Sequence, residues 1–230
     1  TTCIVFLLVI FTAIFLPSYH HLLEHYRKLE KTCRDSTEEG RGNVNNEKVF
    51  IAATLYDAEG LLVGGEWGIA IRQLVHLLDL DNQALEEFRK QISFRNRALL
   101  PLELNPSIKF DKLLFVNDVI FNPIDAAQLL FSTNINESGH AQYGAACAVD
   151  FINPFKFHDR FATRELEGYA MGVPFFPWFT AVGQGSSRKD ILDQKDAIRD
   201  RACWGGMTAF GATWFQTLHP HFSENYLPSV

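Results

Sequence analysis

A short segment near the middle of the chain, residues 110–123 (FDKLLFVNDVIFNP), constrains the fold more than any other. KLLFV (112–116) is a short apolar run, the pattern of a strand buried on both faces. The polar pair Asn117-Asp118 ends it. Asn122-Pro123 then predicts an N-cap and first position for a helix over 124–131. Strand, acidic pair and helix make a βα unit with its carboxylate at the strand's carboxyl end. Open α/β sheets bind ligands at that edge, and a hard metal ion or a diphosphate both suit an oxygen-rich site there. An aspartate that ends a strand also serves as an ordinary turn residue, so this segment alone leaves both roles open.

The 230 residues suffice for one α/β domain of ordinary size, and a 47% apolar share with 20 Phe argues for a packed core. A net charge of -6 with no dense basic stripe argues against nucleic acid as a partner. Cys3, Cys33, Cys147 and Cys203 are scattered, without CxxC spacing, and do not form a disulfide framework. Cys147 and Cys203 fall in expected core segments. They read first as free buried thiols, with a single pair as the alternative in an oxidising compartment.

Residues 3–16 (CIVFLLVIFTAIFL) are an apolar run, short of the roughly 20 residues a spanning helix needs. A signal anchor, a cleaved signal peptide and a buried core helix compete for it. The absence of a small-x-small cleavage site weakens the second, and the anchor is favoured. The expected organisation is therefore a membrane anchor over 1–17, read as truncated because the chain begins at Thr1 without Met. A polar stem or linker over 18–47 and a domain over 48–230 follow. His21 and His25 share a helix spacing that could bind zinc, but no third ligand completes a site, and a stem helix is expected.

Within the domain, 49–55 predicts a first buried strand, followed at its end by Tyr56, Asp57 and Glu59. Gly64-Gly65 precede a helical pattern over 66–78 with apolar Ile69, Leu74, Leu77 and Leu78. A second helical pattern covers 84–100 and carries Arg95 and Arg97. Residues 143–149 (YGAACAV) predict a strand ending at Asp150, and 207–210 a late strand. GQGSSR (183–188) lacks phosphate-loop spacing and reads as an ordinary loop. Asn136-Glu137-Ser138 matches the N-glycosylation sequon, consistent with a lumenal surface loop.

Five segments, in order, resemble one family: KVFIAATLYDAE (48–59), FRNRALLPL (94–102), FDKLLFVNDVIF (110–121), AACAVDF (145–151) and RACWGGMTAF (201–210). They are similar to the fungal cryptococcal-type α-1,3-mannosyltransferases, glycosyltransferase family 69. The resemblance implies a GT-A-like (Rossmann-like) α/β nucleotide-sugar transferase domain behind an N-terminal membrane anchor. It implies a single-pass type II protein of the Golgi or another secretory membrane, with its catalytic domain lumenal. The implied reaction moves mannose from GDP-mannose to a glycan acceptor with retention, aided by Mn²⁺ or another divalent cation. By the same resemblance Asn117-Asp118 stands where such enzymes place the acidic motif for metal and diphosphate. Arg95 or Arg97 would contact phosphate oxygens, and Asp150 would hold sugar hydroxyls or the metal. Asp57 and Glu59 would serve the nucleotide end. Trp204 would stack on a sugar or guanine ring, or belong to the core.

The chain departs from the family pattern in three ways. No strand with an acidic loop follows the first helix, because Leu78-Asp79-Leu80 runs directly into the 84–97 pattern. The family's cysteine- and acid-containing segment near the carboxyl end is missing. CWGG (203–206) replaces the more usual CWNG. An incomplete domain is therefore expected. The alternatives are a catalytically silent relative that binds a partner or a glycan at the membrane, and a soluble α/β enzyme of another type. No Gly-x-Ser-x-Gly, HExxH or GxGxxG recommends the last.

Overall fold

A computed structural model describes residues 2–15, 22–53, 65–80, 99, 101–102, 105–117, 119–149, 151–153, 156–157, 162–170, 182–204 and 206–217. Its central feature is a four-stranded mixed sheet. β1 (Val49–Ala53), β2 (Lys112–Val116), β3 (Ala145–Cys147) and β8 (Met207–Gly211) lie in the order β1-β2-β8-β3. β1 pairs parallel with β2, Val49 opposite Lys112, while β8 is antiparallel to both β2 and β3.

The expected central strand is β2, and it is buried along its whole length. Alternation sends Leu114 and Val116 to one face and Leu113 and Phe115 to the other, each into its own apolar cluster. Helices α3 (Glu66–Leu78) and α4 (Pro123–Phe131) cover the first face. α3 contributes buried Trp67, Ile71, Leu74, Leu77 and Leu78, whereas Ile69, counted among its apolar positions, faces outward. α4 begins as its sequence predicts, the Asn122 side chain accepting a hydrogen bond from Ile124 N at 2.9 Å with Pro123 at the first position. Phe50, Phe110, Trp204, Phe210 and Phe215 close the second face, with Phe215 on α6 (Thr213–Thr217).

The stem is not held apart from this core. Helix α2 (Glu24–Asp35) buries Leu29 and Cys33 in the cluster under α3 and α4. Gln128 Nε2 on α4 donates to Tyr26 O at 3.2 Å, and His25 faces Asp196 at 3.4 Å. Burial holds the Cys33 thiol above its ordinary value. The sequence of 24–35 is polar on average, but its few apolar residues recur on one face, which suffices to dock it.

The expected gap after the first helix takes a definite form. β1 and β2 are direct hydrogen-bonded neighbours, so the ladder from β1 to β3 is continuous. Among the described residues between them there is the helix α3, a helical pair at Pro101-Leu102 and no strand; 54–64 and 81–98, with most of the second helical pattern, lie outside the described residues. Two short ribbons were not foreseen: β4 (Phe151–Asn153) with β5 (Lys156–Phe157), and β6 (Arg164–Glu165) with β7 (Asp200–Ala202). The GQGSSR segment is a turn with left-handed Gly183 and Gly185 that opens helix α5 (Ser186–Leu192).

Helix α1 (Thr2–Phe15) exposes Ile4, Phe6, Leu7, Leu8, Phe11 and Ile14. Its 14 residues span about 21 Å. Among the described residues no helix is long and apolar enough to cross a membrane.

Candidate functional site

Three strands deliver their carboxyl ends to one edge of the sheet. β1 and β2 are parallel, and β3 runs with β2 because both oppose β8. β8 enters from that same edge. Asn117 N donates to Gly206 O at 2.8 Å, and Ala148 N donates to Met207 O at 2.9 Å. The exits of β2 and β3 thus flank the start of β8, two strand spacings apart, about 10 Å. In the chain, Asp118 directly follows Asn117, and Asp150 follows Val149.

The close approach at this edge has sequence causes. Gly206 is buried, and a Cβ there would overlap the methyl groups of Val119, so only glycine lets the chain leaving β2 lie on the start of β8. Trp67, in the first turn of α3, donates from Nε1 to Asn117 O at 3.0 Å and meets Phe121 edge-on at 6.5 Å. That contact seats the amino end of α3 beside the exit of β2. The N-cap is Gly65, with no side-chain cap. A 13-residue helix in this position turns the positive end of its dipole toward the edge, a favourable field for phosphate oxygens.

A disulfide closes the same edge. Cys147, the last residue of β3, is bonded to Cys203, just before β8, with the Cα atoms 6.2 Å apart. This corrects the first expectation of free thiols. The two cysteines are 56 residues apart, and only the pairing of β3 with β8 brings them together. Trp204, next to Cys203, packs against Phe115 at 5.4 Å and Phe210 at 6.4 Å, which favours its core role over a stacking one.

Residues 86–226, more than half of the chain, match the family described as Cryptococcal mannosyltransferase 1. The chain belongs to that family. Comparison with curated proteins and with solved structures gave no match. The part matching the mannosyltransferase family runs from before β2 to beyond α6. It includes Asn117-Asp118, Val149-Asp150 and the disulfide, while β1 and α3 precede it.

Of the site residues expected from sequence, Asn117 is described: its backbone is fixed on both sides, by Gly206 and by Trp67. Asp57, Glu59, Arg95, Arg97, Asp118 and Asp150 lie outside the described residues. Among the described residues no group of three or more His, Cys, Asp or Glu could hold a metal ion; of the spaced pair His21 and His25, His21 lies outside the described residues and His25 faces Asp196.

Sequence reasoning missed one charged cluster in this mannosyltransferase-family region. Asp190 on α5 is buried and takes a forked pair of hydrogen bonds from Arg199, at 2.7 and 2.8 Å, and one from Lys195. These partners, Arg199 foremost, hold its carboxyl down at about 2. Glu165 and Asp200 are cross-strand neighbours on the β6–β7 ribbon. Glu165 is buried and accepts from Tyr169 N at 3.0 Å through Oε1; among the described residues its Oε2 has no hydrogen bond, nor has the buried Oδ1 of Asp200. Burial first, then the Glu165 and Asp190 carboxylates, pushes the Asp200 carboxyl up to about 7. The only sequence signal was the density of charge over 188–201, which also fits a solvated helix.

Proposed function

We propose that this protein is a lumenal glycosyltransferase that moves mannose from GDP-mannose to a glycan acceptor, in α-1,3 linkage with retention. Family membership carries the reading, since the family is one of mannosyltransferases. The sheet edge supports it: the residues before Asp118 and Asp150 leave the ends of β2 and β3 on either side of the start of β8, with a helix amino terminus and a glycine-permitted close approach beside them. This is the edge at which open α/β sheets bind nucleotides, which supports a GT-A-like domain.

In this reading Asp118 holds a divalent cation such as Mn²⁺, and Asp150 binds sugar hydroxyls or the same ion. The donor chemistry fits. The cysteines at this edge are tied up in a disulfide, which leaves oxygen donors, the ligands hard cations take. Such an ion neutralises charge on the departing diphosphate. Arg95 or Arg97 grips phosphate oxygens as a fork, and Asp57 and Glu59 orient the nucleotide. Asn117, its backbone held by Gly206 and Trp67, is the last fixed residue before Asp118 in the chain.

The membrane belongs to the same proposal. The apolar side chains of α1, exposed on successive positions from Ile4 to Phe11 and so all round the helix, find their natural partner in lipid, as the embedded part of a type II anchor in the Golgi or another secretory membrane. The disulfide suits the oxidising lumen of that pathway.

Calorimetric titration of GDP into the full chain in detergent, with and without Mn²⁺, tests the donor site. Metal-dependent binding that Asp118→Ala abolishes is the expected result, with transfer from GDP-mannose to mannosides as its sequel. A folded chain that binds no GDP at any metal concentration would sink the proposal and identify a silent relative that binds a partner or glycan.

A further inference from the structure

We propose that Asn136 carries an N-linked glycan, an inference that rests on the lumenal reading above. Asn136-Glu137-Ser138 is the only acceptor sequon in the chain, because Pro106 disqualifies Asn105-Pro106-Ser107. The fold puts it where a glycan can be attached and carried. It lies between the bridged residues Ile135 and Ala141, in a tight loop closed by Asn136 N to His140 O at 2.9 Å. Glu137, Ser138, Gly139 and His140 are exposed, and the space a side chain would fill at Gly139 is open.

The amide of Asn136 is divided between two roles. Its Oδ1 accepts from Ser138 N at 2.9 Å and His140 N at 3.0 Å, which orients the side chain. Its Nδ2 has no hydrogen bond among the described residues and is available as the acceptor atom. In the transfer, Nδ2 bonds to C1 of a lipid-linked oligosaccharide. The C1–O bond to the lipid diphosphate breaks, the diphosphate leaves with the electron pair, and Nδ2 gives up one proton.

The position is compatible with the proposed activity. The loop precedes β3 at the edge opposite the carboxyl ends of β2 and β3. Lys112 Nζ, on the first residue of β2, donates to Ala141 O at 3.0 Å. A glycan on Asn136 therefore projects from the far side of the sheet. The Cys147–Cys203 bond is an independent sign of the same compartment, since disulfides and N-glycans are both acquired in the secretory lumen.

The test is expression of the full chain in a fungal host, with electrophoresis before and after enzymatic removal of N-glycans. Asn136→Asp keeps the Oδ acceptor of the turn but removes the acceptor nitrogen. Ser138→Ala removes only the sequon hydroxyl, and Ser138→Thr restores it. A mobility shift present in the parent and in Ser138→Thr, and absent from Asn136→Asp and Ser138→Ala, is expected. Protease protection in microsomes and thiol titration of Cys147 and Cys203 report the compartment separately. A protected, disulfide-bonded chain without glycan overturns the proposal and leaves the lumenal reading intact. An unprotected, reduced chain without glycan overturns both.

Discussion

At the scale of single residues, the consequences turn on volume and charge. Gly206 works by lacking a side chain: the Val119 methyls occupy the space its Cβ would need. Gly206→Ala is expected to destabilise the fold by about 1–3 kcal/mol, as overpacking does, and to loosen the exit of β2. Denaturant unfolding with an unchanged m-value checks this, and a variant as stable as the parent would show that Val119 can move aside. Asp200 offers a test by pH. Its carboxyl titrates at about 7 in the folded chain, against roughly 3.9 unfolded. Between those values the folded state holds the extra proton, so stability falls as pH rises from about 4 and the loss is complete above about 7. Asp200→Asn should remove that slope and raise stability at pH 8 by roughly 1–3 kcal/mol. Asp190 has the opposite sign. Its carboxyl is held at about 2, so its contribution is present above about pH 4 and is lost as pH falls through 2. Asp190→Asn should flatten the acid limb of the stability profile and, by removing one of the carboxylates that raise the Asp200 carboxyl, shorten the fall above pH 4 without abolishing it; thermal melts from pH 2 to 9 separate the two.

At the scale of elements, β2 and its flanks set the site. A one-residue slip of β2 would exchange Leu114 and Val116 with Leu113 and Phe115 between two differently packed clusters and drive the polar Asn117 or Asp111 toward the core, so the position of Asn117 at its end is specified by packing. Lys112 at its beginning is the exception. Its ammonium is buried, donates to Ala141 O and lies 4.3 Å from the centre of the Tyr143 ring, and burial lowers its pKa. The Cys147–Cys203 bond ties the end of β3 to the approach to β8 across 56 residues of chain. A loop of that size corresponds to about 4 kcal/mol of closure entropy in the unfolded chain. Cys147→Ser with Cys203→Ser, or reduction of the parent, should lower stability by roughly 2–4 kcal/mol, read from unfolding with and without reductant. An unchanged midpoint would mean the pairing of β3 with β8 holds this edge unaided.

At the scale of the whole molecule, the two faces of the sheet do different work. The α2, α3 and α4 side makes the larger core, and α2 joins what the sequence reads as a stem to that core. Removal of 18–47 as a dispensable linker would therefore strip Leu29 and Cys33 from the interior. The opposite edges of the sheet also separate in role. One gathers the strand exits of the proposed donor site, and the other carries the loop with the proposed glycan.

Local order was legible in the sequence wherever it is encoded within one segment. β1, α3, β2 with its Asn122 cap and α4, β3 and β8 were all readable from runs, spacings and caps, because neighbouring residues alone decide periodicity and capping. Five ordered segments also sufficed to indicate the mannosyltransferase family. What no segment contains is who meets whom. The antiparallel insertion of β8 between β2 and β3, the disulfide that follows from it, and the contact of Val119 with Gly206 join residues dozens of positions apart. The docking of α2 and the facing carboxyls of Glu165 and Asp200 do the same. Tertiary structure decided these, since burial and Coulomb forces act on distance in space and not on distance along the chain.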